Sequence, residues 1–287
     1  MSEGFSFEDV GARAKGSGLT VGVFDSGFGG LTVLRALMPL LAGARFVYVG
    51  DMARLPYGSK SRETISRYAL TSADFIQDQG ADLLVVACNT ATALALDDLK
   101  DELPIPVVGV IEPGAAAAKA LKADAKVLVL ATSATVQSGA YTRELEAVGL
   151  GAHEMACPLL VPLVEEGWTD HAVTDEVLRI YLEQALAKAP LTDTLLLGCT
   201  HYPLLEPAIR RTLERLGHPL TIIDSARATA DATARLVEER FSALRDERRE
   251  GPGATFYATD SVEKFQRLGS VFLGRAVDHV SLIDLGG

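Results

Sequence analysis

The sequence predicts an α/β protein made of two similar open parallel-sheet, doubly wound domains related by a pseudo-twofold, with the active site in the cleft between them. Three observations carry that expectation. Apolar runs of strand length, such as Leu83 to Ala87 and Leu195 to Leu197, alternate with helical patterns, as strands buried on both faces of a parallel sheet do. Both runs lead into a cysteine and then small polar residues, in VVACNTATA with Cys88 and LLLGCTHYP with Cys199. The pattern also repeats. The cysteines stand 111 residues apart (199 − 88), and KVLVLATSATVQSG restarts TVGVFDSGFGG at an offset of 106 (131 − 25). Two nearly equal offsets point to an internal duplication.

Taken in order, residues 1–19 mix acidic and basic residues with Gly and Ser and read as a flexible extension without the basic start and apolar middle of a signal peptide. The first strand, LTVGVFD, ends at Asp25. Ser26-Gly27-Phe28-Gly29-Gly30 and a helix from Leu31 to about Leu41 follow. A strand, Gly-rich turn and helix can cradle an anion. Gly27-x-Gly29-x-x-Thr32, with Asp51 closing RFVYVGD, has the outline of a dinucleotide fingerprint, but Thr stands where Gly or Ala belongs. Leu55-Pro56-Tyr57-Gly58-Ser59 marks a turn before a helix over 62–79. It is either a plain loop or a rigid one offering N–H groups and a tyrosine to a ligand.

After the Cys88 unit, IPVVGVIEP reads as a buried strand broken by Glu112-Pro113-Gly114, the first candidate boundary. The second half then offers Thr132, Ser133 and Thr135 as ligand hydroxyls or as a helix cap before Gln137. Cys157, in MACPLLVPLVEEG, lacks polar helix-start residues and reads as structural. Glu165-Glu166 reads as a solvated pair within reach of a cleft, and residues 171–189 as an amphipathic helix. LTIID ends at Asp224. A polar helix to about Leu244, the charged run RDERREGPG, a short strand TFYATD and a last helix VEKFQRLGSVFLG complete the chain. The expected domains are 20–113 plus 225–287, with the tail returning to the first half, and 114–224.

At 287 residues the chain is long enough for two ordinary domains and a large core. A net charge of −11 argues against nonspecific binding to nucleic acid and against docking on anionic membranes. Three cysteines with no C-x-x-C pair make neither a disulfide framework nor a zinc ribbon, and they predict a reducing, cytoplasmic setting. No run of about 18 apolar residues predicts a membrane span.

Both cysteines are expected at the carboxyl ends of strands, where open α/β folds bind ligands. Free N–H groups at a following helix start would favour a thiolate there, or hold a carboxylate. The bland alternative is a pair of buried small hydrophobes. Two thiols facing each other across a cleft suit inversion at carbon, with a base on one face and an acid on the other. Helix-start N–H donors would hold the enolate charge, and closure would exclude water. No lysine stands at a comparable strand end, so no pyridoxal Schiff base is expected, nor any other cofactor or metal. Ser26, Thr90, Thr135 and Thr200 suit a small, polar, carboxylate-bearing substrate. Asp25 and His201 are placed to relay protons or to orient their thiols.

With these residues in view, the chain resembles glutamate racemases, within the aspartate/glutamate racemase superfamily. The resemblance rests on FDSGFGGLTV, GDMARLPYGSKS, ACNTATA, ATSATVQS, CPLLVPLVEEG and GCTHYPLL, in that order, from about residue 20 to the C terminus. It implies cofactor-independent interconversion of L- and D-glutamate, supplying D-glutamate for peptidoglycan, and a homodimer. It implies Cys88 and Cys199 as paired acid/base residues, Cys88 acting on the D-isomer, with Asp25 and His201 as auxiliary groups. Ser26, Pro56, Tyr57, Gly58, Asn89, Thr90, Thr132, Thr135 and Thr200 match substrate-contact positions, together with Asp25 and His201. Glu165 matches a supporting carboxylate. Phe28 and Met52 fall at variable places of their motifs, and the extension before residue 20 is outside the pattern. An aspartate racemase, a one-cysteine decarboxylase relative, a nucleotide-dependent oxidoreductase and a two-lobed binding protein are the competing readings. The two cysteines argue against the decarboxylase, and two thiols without a task argue against the binding protein.

Overall fold

The apolar runs form two sheets, each parallel throughout. In the computed structural model, which describes residues 18–245 and 253–286, the first sheet holds β1 (Thr20–Asp25), β2 (Arg45–Gly50), β3 (Leu83–Val86), β4 (Val107–Gly109), β9 (Ala254–Ala258) and β10 (Val280–Leu282). Its order is β10-β9-β2-β1-β3-β4. The second sheet holds β5 (Lys126–Ala131), β6 (Gly151–Ala156), β7 (Thr194–Gly198) and β8 (Thr221–Asp224), in the order β6-β5-β7-β8. Strands 2-1-3-4 of one sheet therefore match strands 6-5-7-8 of the other, the physical counterpart of the repeated sequence pattern.

Parallel neighbours need crossovers, and helices supply them. In the first lobe these are α1 (Leu31–Leu40), α2 (Arg62–Asp78) and α3 (Asn89–Glu102). α4 (Ile111–Leu121) leads into the second lobe, where α5 (Ser133–Ser138), α6 (Ala140–Ala147), α7 (Leu160–Glu165), α8 (Ala172–Lys188) and α9 (Glu206–Arg215) follow. After β8 come α10 (Ser225–Arg240), α11 (Ser242–Arg245) and α12 (Val262–Leu273). The tail is tied to the first sheet, since β9 pairs with β2 from Phe46↔Ala254 to Gly50↔Ala258 and β10 pairs with β9.

β1 and β3 are buried on both faces. Alternate residues feed two clusters, as the pleat requires. Phe24, Val47, Leu84 and Val86 pack under α2 and α3, while Val21, Val23, Leu83 and Val85 join a core that continues to Leu195, Leu196 and Leu197 of the second lobe. α10 helps join the lobes by packing along both α1 and α4. Each fully buried Leu or Val in this shared core contributes about 1.5–3 kcal/mol.

The structure corrects four local expectations. β4 is only three residues long, and Ile111-Glu112-Pro113 is the first turn of α4 rather than a break, because a helix tolerates proline where its N–H would have no partner anyway. The chain therefore passes residues 113–114 as helix. β6 and β10, edge strands with partly exposed side chains, lack the continuous apolar run that marks the central strands and carry no strand signal in the sequence. Of the extension expected over 1–19, residues 1–17 lie outside the described residues, but Leu19 is buried and its carbonyl accepts from Arg45 N–H at 2.8 Å. Most of the charged run RDERREGPG, at 246–252, also lies outside them.

Candidate active site

Each sheet has a switch point where successive connections leave in opposite directions, between β1 and β3 in the first and between β5 and β7 in the second. Ligands bind outside the carboxyl ends of strands at such points. Asp25-Ser26 and Cys88 leave the first switch point, and Thr132 and Cys199 leave the second. Both cysteines are free thiols and almost fully buried, each 6% exposed.

Cys88 is the N-cap of α3. Its Sγ accepts from Ala91 N–H at 3.4 Å and donates to Ser26 Oγ at 3.4 Å. Asp25 lies beside it, buried, with Oδ2 accepting from Gly27 N–H at 2.9 Å. Cys199 differs from its expected setting. It enters a turn and a short 3-10 stretch over Tyr202–Leu205, and α9 begins only at Glu206, because Pro203 starts a tight turn here rather than an α-helix. Nδ1 of His201 lies 3.9 Å from Cys199 Sγ and 3.3 Å from Thr200 Oγ1, and Nε2 lies 3.3 Å from Glu165 Oε1. Glu165 thus reaches the site, whereas its neighbour Glu166 stays exposed.

The lobes meet closely here. Thr90 Oγ1 lies 2.9 Å from Thr132 Oγ1 and 3.2 Å from Thr135 Oγ1, and the last two lie 2.9 Å apart. Thr132 also caps α5 through Thr135 N–H, so ligand hydroxyl and helix cap are not exclusive readings of it. Asn89 Oδ1 accepts from Tyr141 of the second lobe at 2.6 Å. Gly58 faces Thr132, and Pro56 is exposed on the same loop. Tyr57 is not free for a ligand. Its ring is buried beside Phe24, and its hydroxyl donates to Asp51 Oδ2 at 2.5 Å. Asp51 also accepts from Thr259, which pins the loop to the tail. A Cβ at Gly29 would lie 2.3 Å from Thr200 Oγ1 and 2.6 Å from His201 Cε1. The second lobe thus occupies the space over the Gly-rich turn where a pyrophosphate would have to sit, which removes the ground for a dinucleotide.

This closeness sets the electrostatics. Burial pushes the Cys88 thiol up to about 11, with the nearby Asp25 charge adding to it, against the bonds from Ser26 and Ala91. Burial pushes Cys199 up further, opposed by the His201 N–H and reinforced by Cys88 and Asp25. The expectation of a thiolate-favouring pair does not hold for the closed lobes, where desolvation outweighs the N–H donors. Asp25 is also raised by burial, against the charge of His201 and the N–H groups of its turn. Two buried polar atoms here have no hydrogen-bond partner among the described residues, Asp25 Oδ1 and Asn89 Nδ2. Both are groups a small polar ligand would satisfy.

Sequence reasoning missed the supports. Tyr141 fixes Asn89, Tyr48 donates to Gly27 O at 3.0 Å under the Gly-rich turn, and Phe28 and Phe272 flank the His201 ring. Tyr48, Tyr141 and Phe272 had no local signal, since each reaches the site from a different element, and Phe28 stands inside the Gly-rich motif without its ring being marked as a support. Among the described residues no group of three or more His, Cys, Asp or Glu is placed to hold a metal ion, and no helix is long and apolar enough to cross a membrane.

Two parallel α/β lobes, each presenting a buried thiol at its switch point, define the class of enzyme that works on a small molecule held between them. The chain belongs to the Asp/Glu/hydantoin racemase family, whose sequence pattern matches residues 31–233. It is 48% identical to a glutamate racemase of Koribacter versatilis, an alignment covering 93% of this chain and 98% of that one. The glutamate racemase of Thermus thermophilus, solved with β-chloro-D-alanine, superposes with a TM-score of 0.81 at 42% identity over 94% of this chain and 99% of its own. That of Francisella tularensis, solved with D-glutamate, gives 0.83 at 33% identity over 94% and 98%.

Proposed function

We propose that this protein interconverts L- and D-glutamate by passing a proton at Cα between two thiols, without a cofactor. The observation that carries the reading is the placement of Cys88 and Cys199 at matching switch points of two sheets of the same strand order. A thiolate on one face takes the Cα proton. The electron pair of that C–H bond passes into the carboxylate as an enediolate, and the opposite S–H delivers a proton to the other face. Cys88 acts as base toward the D-isomer and Cys199 toward the L-isomer. The substrate's ammonium favours the thiolate form that burial alone disfavours. Asp25 beside Cys88 and His201 beside Cys199 serve as auxiliary proton carriers. Asn89 Nδ2 and the hydroxyls of Ser26, Thr90, Thr132, Thr135 and Thr200 receive the polar groups of the substrate. Gly58 and Pro56 line its approach, and Tyr57 acts through the loop that it anchors on Asp51.

The relatives named glutamate racemase support the choice of glutamate. In this reading the lobes are 20–113 plus 225–287 and 114–224, the protein works in the cytoplasm as a homodimer, and its D-glutamate goes to peptidoglycan.

The test is incubation of metal- and cofactor-free protein with L-glutamate in heavy water, following optical rotation and deuterium at Cα together. Rotation should be lost as deuterium enters the D-isomer. Exchange with L-aspartate instead would move the substrate, and exchange with neither would end the racemase reading. Cys88→Ser and Cys199→Ser should each lower turnover by about 10²–10⁴-fold, the usual worth of a general acid or base. At position 88 a serine hydroxyl still caps α3, and at position 199 it replaces the thiol with a slightly smaller polar group in a turn, so the fold is retained. Full turnover by either variant would defeat the two-thiol mechanism.

A further inference from the structure

α12 belongs to the side of the first sheet, packing on α1 and β10, yet one of its side chains meets the turn after β7 and another the end of α7. Phe272 is buried and meets the His201 ring edge-on, with 4.9 Å between centroids. Lys264, about two turns earlier on α12, places Nζ 3.5 Å from Glu165 Oε2 and 5.7 Å from the centre of the Phe28 ring. Glu165 in turn faces His201 Nε2 at 3.3 Å through its other oxygen, and His201 Nδ1 faces Cys199 Sγ at 3.9 Å. Lys264, Glu165, His201 and Cys199 therefore stand in a row, and the Lys264–Glu165 link crosses from one lobe to the other. The Cys88 half is built differently, from Asp25 and the Ser26 hydroxyl.

We propose that Lys264 is a positioning residue for the Cys199 half of the site, holding the Glu165 carboxylate on Nε2 of His201 so that Nδ1 is turned to the Cys199 sulfur when the lobes are closed. This rests on the racemase reading above. A carboxylate that is only partly buried has water as an alternative partner, and the ammonium on its far side removes that choice. The charged and titratable groups facing Glu165 are Lys264 from α12 and His201 from the turn after β7. Behind His201 stand Cys199 and, at the end of β1, Asp25. Burial pushes the Glu165 carboxyl up, but the His201 bond, the His201 charge and Lys264 together hold it below its usual value. Only at a pH below its own lowered pKa is Glu165 protonated, losing its charge and its hold on Nε2. Without the ammonium this happens at higher pH.

The test compares Lys264→Met, Lys264→Arg, Glu165→Gln and the double variant Lys264→Met/Glu165→Gln. Two readouts are used, kcat/KM against pH and the ¹⁵N resonance of His201 Nε2 in the substrate-free protein. The enantiomers have equal free energy in water, so kcat/KM must fall by the same factor in both directions. We expect Lys264→Met to lower it about 5- to 20-fold, chiefly in kcat, as for a residue that positions a reacting group. The acidic limb of the profile moves to higher pH, and Lys264→Arg recovers most of the rate. The double variant is no worse than Glu165→Gln alone, because the two act through one contact. The Nε2 resonance moves toward that of a solvated ring in Lys264→Met, and in Glu165→Gln it loses the charge-assisted part of its hydrogen-bond shift, since an amide oxygen accepts without a charge. Additive losses, or an unmoved acidic limb with an unchanged resonance, would overturn the proposal. The resonance needs no substrate. If the wild-type protein does not racemise glutamate yet Lys264→Met changes the resonance, the racemase reading fails and the positioning by Lys264 stands.

Discussion

Asn89 shows how a single side chain is divided between the lobes. Its Oδ1 accepts from Tyr141 at 2.6 Å, which fixes the amide plane and leaves Nδ2 buried without a partner among the described residues. An unpaired buried donor costs about 1–3 kcal/mol, a cost that a bound carboxylate removes. Tyr141→Phe should therefore act twice. The protein loses about 1–2 kcal/mol because Oδ1 is left unsatisfied. KM for glutamate rises about tenfold, equivalent to about 1.4 kcal/mol, because the amide is free to turn. Thermal unfolding and initial rates check the two parts, and an unchanged KM would show that Tyr141 does not orient Asn89. Asn89 could be picked out from the sequence because it follows a cysteine at a strand end. Tyr141 could not, since the bond spans 52 positions and nothing local marks it.

At the scale of elements, what could be read in advance was what depends on short-range pattern. β1, β3, β5 and β7 carry continuous apolar runs in their middles because both faces are covered there, and the two cysteines stand out as the first non-aliphatic residues past β3 and β7. β6 and β10 escaped because an edge strand has no such run, and the late start of α9 because Pro203 suits a tight turn as well as a helix. The Gly-rich turn after β1 shows the same limit. As a motif it suggested phosphate, but the structure gives its glycines another reason. At Gly29 a Cβ would meet Thr200 and His201 at 2.3 and 2.6 Å, so the missing side chain is what lets the lobes close. Gly29→Ala should hold the lobes apart and lower kcat/KM by on the order of 10²-fold, the cost of a displacement near 1 Å, while each sheet stays intact by circular dichroism. Gly43 is the control. Its φ is +94° with open space around it, so Gly43→Ala should cost about 1 kcal/mol of stability and leave activity alone. Equal activities for the two variants would refute the closure argument.

For the whole molecule, the consequence of two lobes sharing one core is that their thiols are desolvated together. Cys88 and Cys157 are held at about 11 and about 12, and Cys199 higher still, with burial the first cause in each. An unfolded chain has thiols near 8.5. Between these values the unfolded state has released protons that the native state keeps, so the native state binds more and stability must fall as pH rises. The contribution is fully present below about pH 8.5 and is lost on the way to pH 11. For Cys88 alone the loss by pH 10 is about 2 kcal/mol, and the other two thiols add to it. Scanning calorimetry under reducing conditions should therefore show Tm falling steadily above about pH 8.5. Cys157→Ala removes one buried thiol outside the site, so it should flatten the fall without touching Cys88 or Cys199. In the Cys157→Ala protein, a Tm that holds level from neutral pH to about pH 10 would mean that Cys88 and Cys199 are solvated in solution and that the lobes stand open. A Tm that still falls in the Cys157→Ala protein would mean that the closed arrangement seen here dominates without substrate, so that binding glutamate must first part the Thr90, Thr132 and Thr135 hydroxyls that now satisfy one another.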